Sequence, residues 1–225
     1  MISKKSQNKI SSEDFNNLMK YFGISIHSQT INHKSVVNPQ LNYIDIEEFF
    51  LAATYNLKTS RLTEGVLCWI LKFGHLLSPS KIRRLIQTGY FFDSTILGGF
   101  ISFLIENKIQ TQQWRIITPF CRKRKKLEPL FNGPTPRKPA SYFLKYRILT
   151  PQFQFEENKF LRPIVAIYKN CIELKNRALF GSVVNADTVS YLTKHPGSTP
   201  YQIAKNTHHH KARVFDVYED ILEAS

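Results

Sequence analysis

Three consecutive histidines, His208, His209 and His210, are followed by Lys211 and Arg213. Two chemistries could use such a run, metal ligation and anion binding. A zinc site needs ligands converging from different directions. Three adjacent residues cannot all face one ion, and no Cys or Asp stands at ligand spacing beside them, so neither a metal nor another cofactor is expected. Beside Lys211 and Arg213 the imidazoles suit phosphate instead, and their charge would rise as the pH falls towards 6. A second cationic run is "RKRKK": Arg122, Lys123, Arg124, Lys125 and Lys126. The chain carries +14 overall, and residues 111–150 hold 10 basic side chains against one acid, Glu128. A block of that density attracts a polyanion and makes binding fall with salt. The plain alternative is a solvated loop, or an arm that meets an acidic protein.

Catalysis has less to stand on. "LFGSVVNAD", Leu179 to Asp187, looks like the opening of a nucleotidyltransferase motif, in which a Gly-Ser turn precedes two metal-binding aspartates. Two-metal chemistry needs paired carboxylates, and after Asp187 the next acid is Asp216. Asp45, Glu47 and Glu48 lie at a helix start, where acids are expected in any case. "STILGGF" holds a glycine pair inside an apolar helix rather than after a strand, so it is no phosphate loop. Cys68, Cys121 and Cys171 are widely spaced, with no CxxC, and read as buried thiols of a reducing compartment. No enzyme is expected.

These residues must be positioned by helices. At 42% hydrophobic and 13% aromatic residues the chain can bury a real core. The N-terminus has lysines without an apolar run behind them, so no signal peptide is expected. The longest apolar stretch, Ile96 to Ile105, is about half a bilayer span. A cytoplasmic protein without membrane contact is the expectation. Residues 1–110 read as a helical body after a frayed start. Phe15, Leu18, Met19 and Phe22 fall at helical spacing; Asp45 caps a second helix; "TEGVLCWILKFGHLL" is a third; Ser78 and Pro79 open a fourth; Asp93 or Ser94 caps a fifth. "ISIHSQTINHKSVVNPQLNY" reads as a loop with a short hairpin as an option. Residues 111–160 form a basic segment whose prolines exclude long helices. Within it "SYFLKYRILT" alternates as a strand would, and most of its aromatics are expected to anchor the segment to the core rather than to stack on bases. "RPIVAIYKNCIELKNRALFG" reads as one long helix leading into the C-terminal part of residues 161–225.

That part reads as three short helices. Val189 and Leu192 face inward on the first. The second opens with a capping box, Thr199 at the cap, Pro200 behind it and Gln202 at the third position. The third starts at His209 or His210 and presents Val214, Val217, Tyr218 and Ile221. From about Arg177 to Ala224 this pattern resembles the tri-helical helix-turn-helix of bacterial transcriptional regulators, of the winged-helix kind seen in the MarR and ArsR groups. Ile203 and the small Ala204 match the positions where the two helices cross, and Val214 and Val217 those that contact the first helix. Two departures stand out. His208 occupies the turn position that usually takes Gly, and no C-terminal wing is expected after the third helix.

The resemblance implies sequence-specific binding of double-stranded DNA by a transcriptional regulator, an autorepressor or an antitoxin among the options, working as a homodimer and with a cognate protein partner as a further option. His208, His209, His210, Lys211 and Arg213 would then face the groove, supported by Thr199 and Gln202. Because the third helix also carries Asp216, Glu219, Asp220 and Glu223, phosphate contacts from Arg122 to Lys126 would be needed as well. The alternative is an RNA-binding or nucleoprotein-assembly protein that binds through residues 111–150.

Overall fold

A computed structural model describes residues 10–25, 43–57, 59–133 and 135–223. The expected loop before Tyr43, with its hairpin option, and the expected frayed first residues fall largely outside this range. The chain is mainly α-helical. Among the described residues no helix is long and apolar enough to cross a membrane.

Five helices make the body: α1 (Ser12–Tyr21), α2 (Ile46–Asn56), α3 (Ser60–Phe73), α4 (Pro79–Gln87) and α5 (Ser94–Glu106). Each starts where a short polar side chain accepts from the first turn's orphan N–H groups: Ser11, Asp45, Thr59, Ser78 and Asp93. Their apolar faces meet in an aromatic core. The Phe22 and Phe49 rings lie 4.4 Å apart, and Trp69 meets Phe49 edge-on at 5.1 Å. Burial of each such ring contributes about 1.5–3 kcal/mol.

The basic segment is fastened to α5. A Cβ on Gly98 would overlap the Tyr146 ring, and one on Gly99 the Phe143 ring, so the glycine pair exists to let two aromatics sit on the helix backbone. Trp114, Tyr142, Phe143 and Tyr146 are all buried, which is the anchoring role expected of them. The expected strand over "SYFLKYRILT" is replaced by one helical turn, α6 (Ser141–Leu144), and a two-residue strand β2 (Ile148–Leu149) parallel to β1 (Glu128–Pro129). The reason is burial. Tyr142, Phe143 and Tyr146 go to the same side of the chain, which alternation forbids and a helical turn provides.

After α7 (Glu157–Phe160), the expected long helix is broken in two, α8 (Ile164–Asn170) and α9 (Ile172–Leu179). The break falls at Cys171, which is fully buried with extended backbone. No Gly or Pro marks it. It re-aims α9 so that Glu173, Asn176 and Arg177 turn inward. Three helices complete the chain: α10 (Val183–Lys194), α11 (Pro200–Thr207) and α12 (Lys211–Glu223). They share a small core of Tyr191, Ile203, Ala204 and Val214, separate from that of the body. Ile203 and Ala204, expected at the crossing of the two helices, are buried, as is Val214, whereas Val217, expected to share its contact with the first helix, is half-buried. On α10 the inner face is Ala186, Asp187, Ser190 and Tyr191, whereas Val189 and Leu192 are only half-buried. The helix is rotated because its polar residues have partners in the body.

Candidate nucleic-acid interface and the ion-pair seam beneath it

The turn between α11 and α12 is left-handed at His208, with φ +57° and ψ +27°. A non-glycine residue there is uncommon. It is held by a side-chain contact, the His208 Nε2 lying 2.9 Å from Glu48 Oε1 of α2. The capping box of α11 is complete. Thr199 Oγ1 accepts from the Gln202 N–H, and the Thr199 N–H donates to Gln202 Oε1 at 2.8 Å. Thr199 and Gln202 are therefore exposed but already engaged with each other.

The histidine run does not face solvent as a unit. His208 turns to α2. His209 is 8% exposed, and its Nε2 lies 2.7 Å from Asp187 Oδ2 inside the protein. Of the three, only His210 is exposed. The groove-facing role expected of His208 and His209 thus gives way to a docking role: both side chains tie the turn to other elements. Lys211 and Arg213 are exposed as expected. Lys211 Nζ lies over two rings, Tyr201 at 5.4 Å and Phe215 at 5.3 Å, which directs its ammonium without neutralising it. Among the described residues neither Lys211 nor Arg213 forms an ion pair. The exposed start of α12 thus offers two free cations and an imidazole, and its later turns offer Asp216, Glu219 and Asp220 to solvent.

Beneath this surface lies a group of residues that sequence reasoning did not bring together. Lys81 of α4 is fully buried, with its Nζ 2.5 Å from Asp45 Oδ2, 2.6 Å from Asp187 Oδ2 and 3.5 Å from Glu47 Oε2. The Arg177 guanidinium is bidentate twice over. Its Nε and one terminal nitrogen donate to Asp187 at 2.7 and 2.8 Å, and its two terminal nitrogens donate to Glu47 at 3.0 Å each. Asp187 Oδ2 therefore accepts from an ammonium, a guanidinium and an imidazole. Asp45, Glu47 and Asp187 can place one ligand atom each within 4.8 Å of one another. The Lys81 ammonium takes the cation's place among these carboxylates, and all three are sealed from solvent.

The electrostatics follow from that packing. Burial alone would raise Glu47 and Asp187, but Arg177 and Lys81 outweigh it, bringing Glu47 down to about 2 and holding Asp187 well below the usual carboxylate range. Asp45 goes the other way. Burial dominates, and the negative charge of its neighbours adds to it, so its carboxyl is raised. Three carboxylates thus share two full cations inside the protein. Burial lowers the His209 imidazole, which stays neutral beside an acceptor-only Asp187. Its Nε2 consequently carries the hydrogen.

A second polar contact holds the far end of α10. Lys194 Nζ donates to Glu173 Oε1 at 2.6 Å and to the Tyr21 hydroxyl at 3.0 Å, and that hydroxyl donates to Glu173 Oε2 at 2.6 Å. The tri-helical unit is thus joined to the body through charges. A signal for the seam was present in the sequence. Lys81 shares a helix face with Ile82, Leu85 and Ile86, and Arg177 shares one with Leu174; a charge on an apolar face needs a buried partner. What spacing could not supply was the pairing itself, since Lys81 and Asp187 stand 106 residues apart.

The five cations of the basic run fall elsewhere. Arg122, Lys123, Lys125 and Lys126 are exposed, and Arg124 is half-buried, with a loose ion pair to Glu128 at 3.4 Å. Comparison of this chain with protein-family models, with curated proteins and with solved structures gives no match.

Proposed function

We propose that this chain is a sequence-specific, double-stranded DNA-binding protein that acts as a transcriptional regulator through α11 and α12. The observation that carries the reading is the pair of unneutralised cations, Lys211 and Arg213, presented beside His210 at the exposed start of α12, directly after a left-handed turn from a capped α11. In this reading α12 enters a major groove by its first turns, and the body fixes its tilt through the ion-pair seam. Dimerisation on a two-fold operator supplies the affinity that a single short basic face lacks. Roles as an autorepressor or antitoxin, with a cognate protein partner, belong to the same reading.

The test is selection of bound fragments from a random duplex DNA pool at about 150 mM salt, with an RNA pool beside it. An inverted-repeat consensus that disappears in the Lys211→Ala, Arg213→Ala variant is the expected result. Enrichment of RNA alone, untouched by that variant, would favour the second reading, RNA binding or nucleoprotein assembly through residues 111–150, which rests on the concentration of positive charge there.

A further inference from the structure

The basic run differs from a solvated loop in being fixed at both ends and from behind. The Arg122 N–H donates to the Ser94 carbonyl at 3.3 Å, where α5 begins. The Arg124 N–H donates to the Tyr146 carbonyl and the Glu128 N–H to the Arg147 carbonyl, each at 3.2 Å, and the Leu130 N–H to the Leu149 carbonyl at 3.0 Å. Arg147 has φ +60°, and its guanidinium crosses behind the loop to donate to the Lys125 carbonyl at 2.6 Å. The backbone that bears five cations is therefore held against β2, which follows the Tyr146 anchor on α5.

The aromatics of this segment are turned to the core: Trp114, Tyr142, Phe143 and Tyr146 are buried, and Phe120 and Phe131 are half-buried against it, while the exposed apolar side chains among its described residues are Leu127, at 53%, and Leu144, at 40%. Proteins that hold single strands stack bases on exposed aromatic rings between phosphate contacts. With the rings spent on the core, only the phosphate contacts remain, and these suit a duplex whose bases are already stacked.

We infer that Arg122, Lys123, Lys125 and Lys126, with Arg147 bracing the loop behind them, form a preorganised, sequence-independent site for the phosphate backbone of duplex DNA, separate from the start of α12. The inference deepens the proposed function and rests on it for the choice of DNA. It divides the labour within the chain: α12 reads, and the fastened loop holds.

Fluorescence anisotropy of the full chain tests it, with a 30-base-pair duplex of random sequence, an unstructured single strand of equal length, and vesicles containing phosphatidylserine. The variants are Lys123→Ser with Lys125→Ser and Lys126→Ser; Lys211→Ala with Arg213→Ala; and Arg147→Lys, which keeps the charge but removes the fork behind the loop. Removing three phosphate contacts flattens the slope of log affinity against log salt by about 2.7, so the loss of affinity between 50 and 200 mM salt shrinks about 40-fold. The Lys211, Arg213 variant, which removes at most two phosphate contacts, flattens the slope by no more than about 1.8. Arg147→Lys weakens it although net charge is unchanged. A triple-serine variant with an unaltered slope overturns the site, as does tighter binding to the single strand or to the vesicles. If the triple variant behaves as expected while no sequence preference ever resides in Lys211 and Arg213, the site stands and the regulatory reading falls.

Discussion

Replacing Lys81 by Met keeps a flexible, buried side chain of similar length and removes the ammonium between Asp45 and Asp187. Three carboxylates then face Arg177 alone in a site closed to water. Removing one partner from a buried ion pair costs about 3–5 kcal/mol. For a chain of this size, with roughly 2–4 °C of melting temperature per kcal/mol, that corresponds to a fall of about 6–20 °C. The pH dependence identifies the cause. Without Lys81 the Asp45 carboxyl, already raised, loses the charge that draws it down and moves further above its unfolded value of about 4, so the variant's stability is greatest when that carboxyl is protonated and is lost as the pH rises through its folded value. The deficit against wild type should therefore narrow between pH 7 and pH 5, by up to about 1.4 kcal/mol per pH unit for each proton taken up. Urea denaturation at several pH values measures it. Lys72→Met is the control, since the Lys72–Glu157 pair is exposed and such pairs contribute about 0–1 kcal/mol. A Lys81→Met deficit equal to the control's, or one flat with pH, would refute the seam's electrostatic account.

Two further predictions concern the elements around that seam. His209 has a lowered pKa when folded, so its contribution is present above the unfolded value of about 6.5 and is lost as the pH falls through the folded one. His209→Asn, which retains a donor for Asp187, should flatten the stability profile between pH 7.5 and pH 5.5; a profile parallel to wild type would mean that the imidazole titrates alike in the folded and unfolded chain, and would refute the effect of burial. Gly99→Ala puts a methyl into the Phe143 ring and should cost about 1–3 kcal/mol by denaturation, with earlier proteolytic cleavage in residues 121–150. Unchanged cleavage would mean that the ring does not anchor the segment.

Most of the helices were legible because local chemistry specifies them. The caps Ser78, Asp93 and Thr199, and the capping-box partner Gln202, are where short-range hydrogen bonding puts them. The aromatics of the basic segment are legible as anchors, but the form of the anchor is not, since three rings packing against one glycine-bearing helix override alternation. The break at Cys171 was illegible for a related reason: nothing in the local sequence ends a helix there, and only the distant partners of Glu173 and Arg177 favour the new direction. The same holds for the histidines. Adjacent in sequence, they part company in space because Glu48 and Asp187 claim two of them from different elements.

The charged seam also bears on how such a chain can change over generations. A head that rests on an apolar patch can be exchanged for another of similar shape with modest loss. Among the described residues, the head formed by α10 to α12 buries Ala186, Tyr191, Ile203, Ala204 and Val214, a small apolar core for three helices. It joins the body through ions that tolerate no unmatched replacement. Positions 45, 47, 81, 177 and 187 are therefore expected to change together, because a lone replacement leaves a buried charge unmatched.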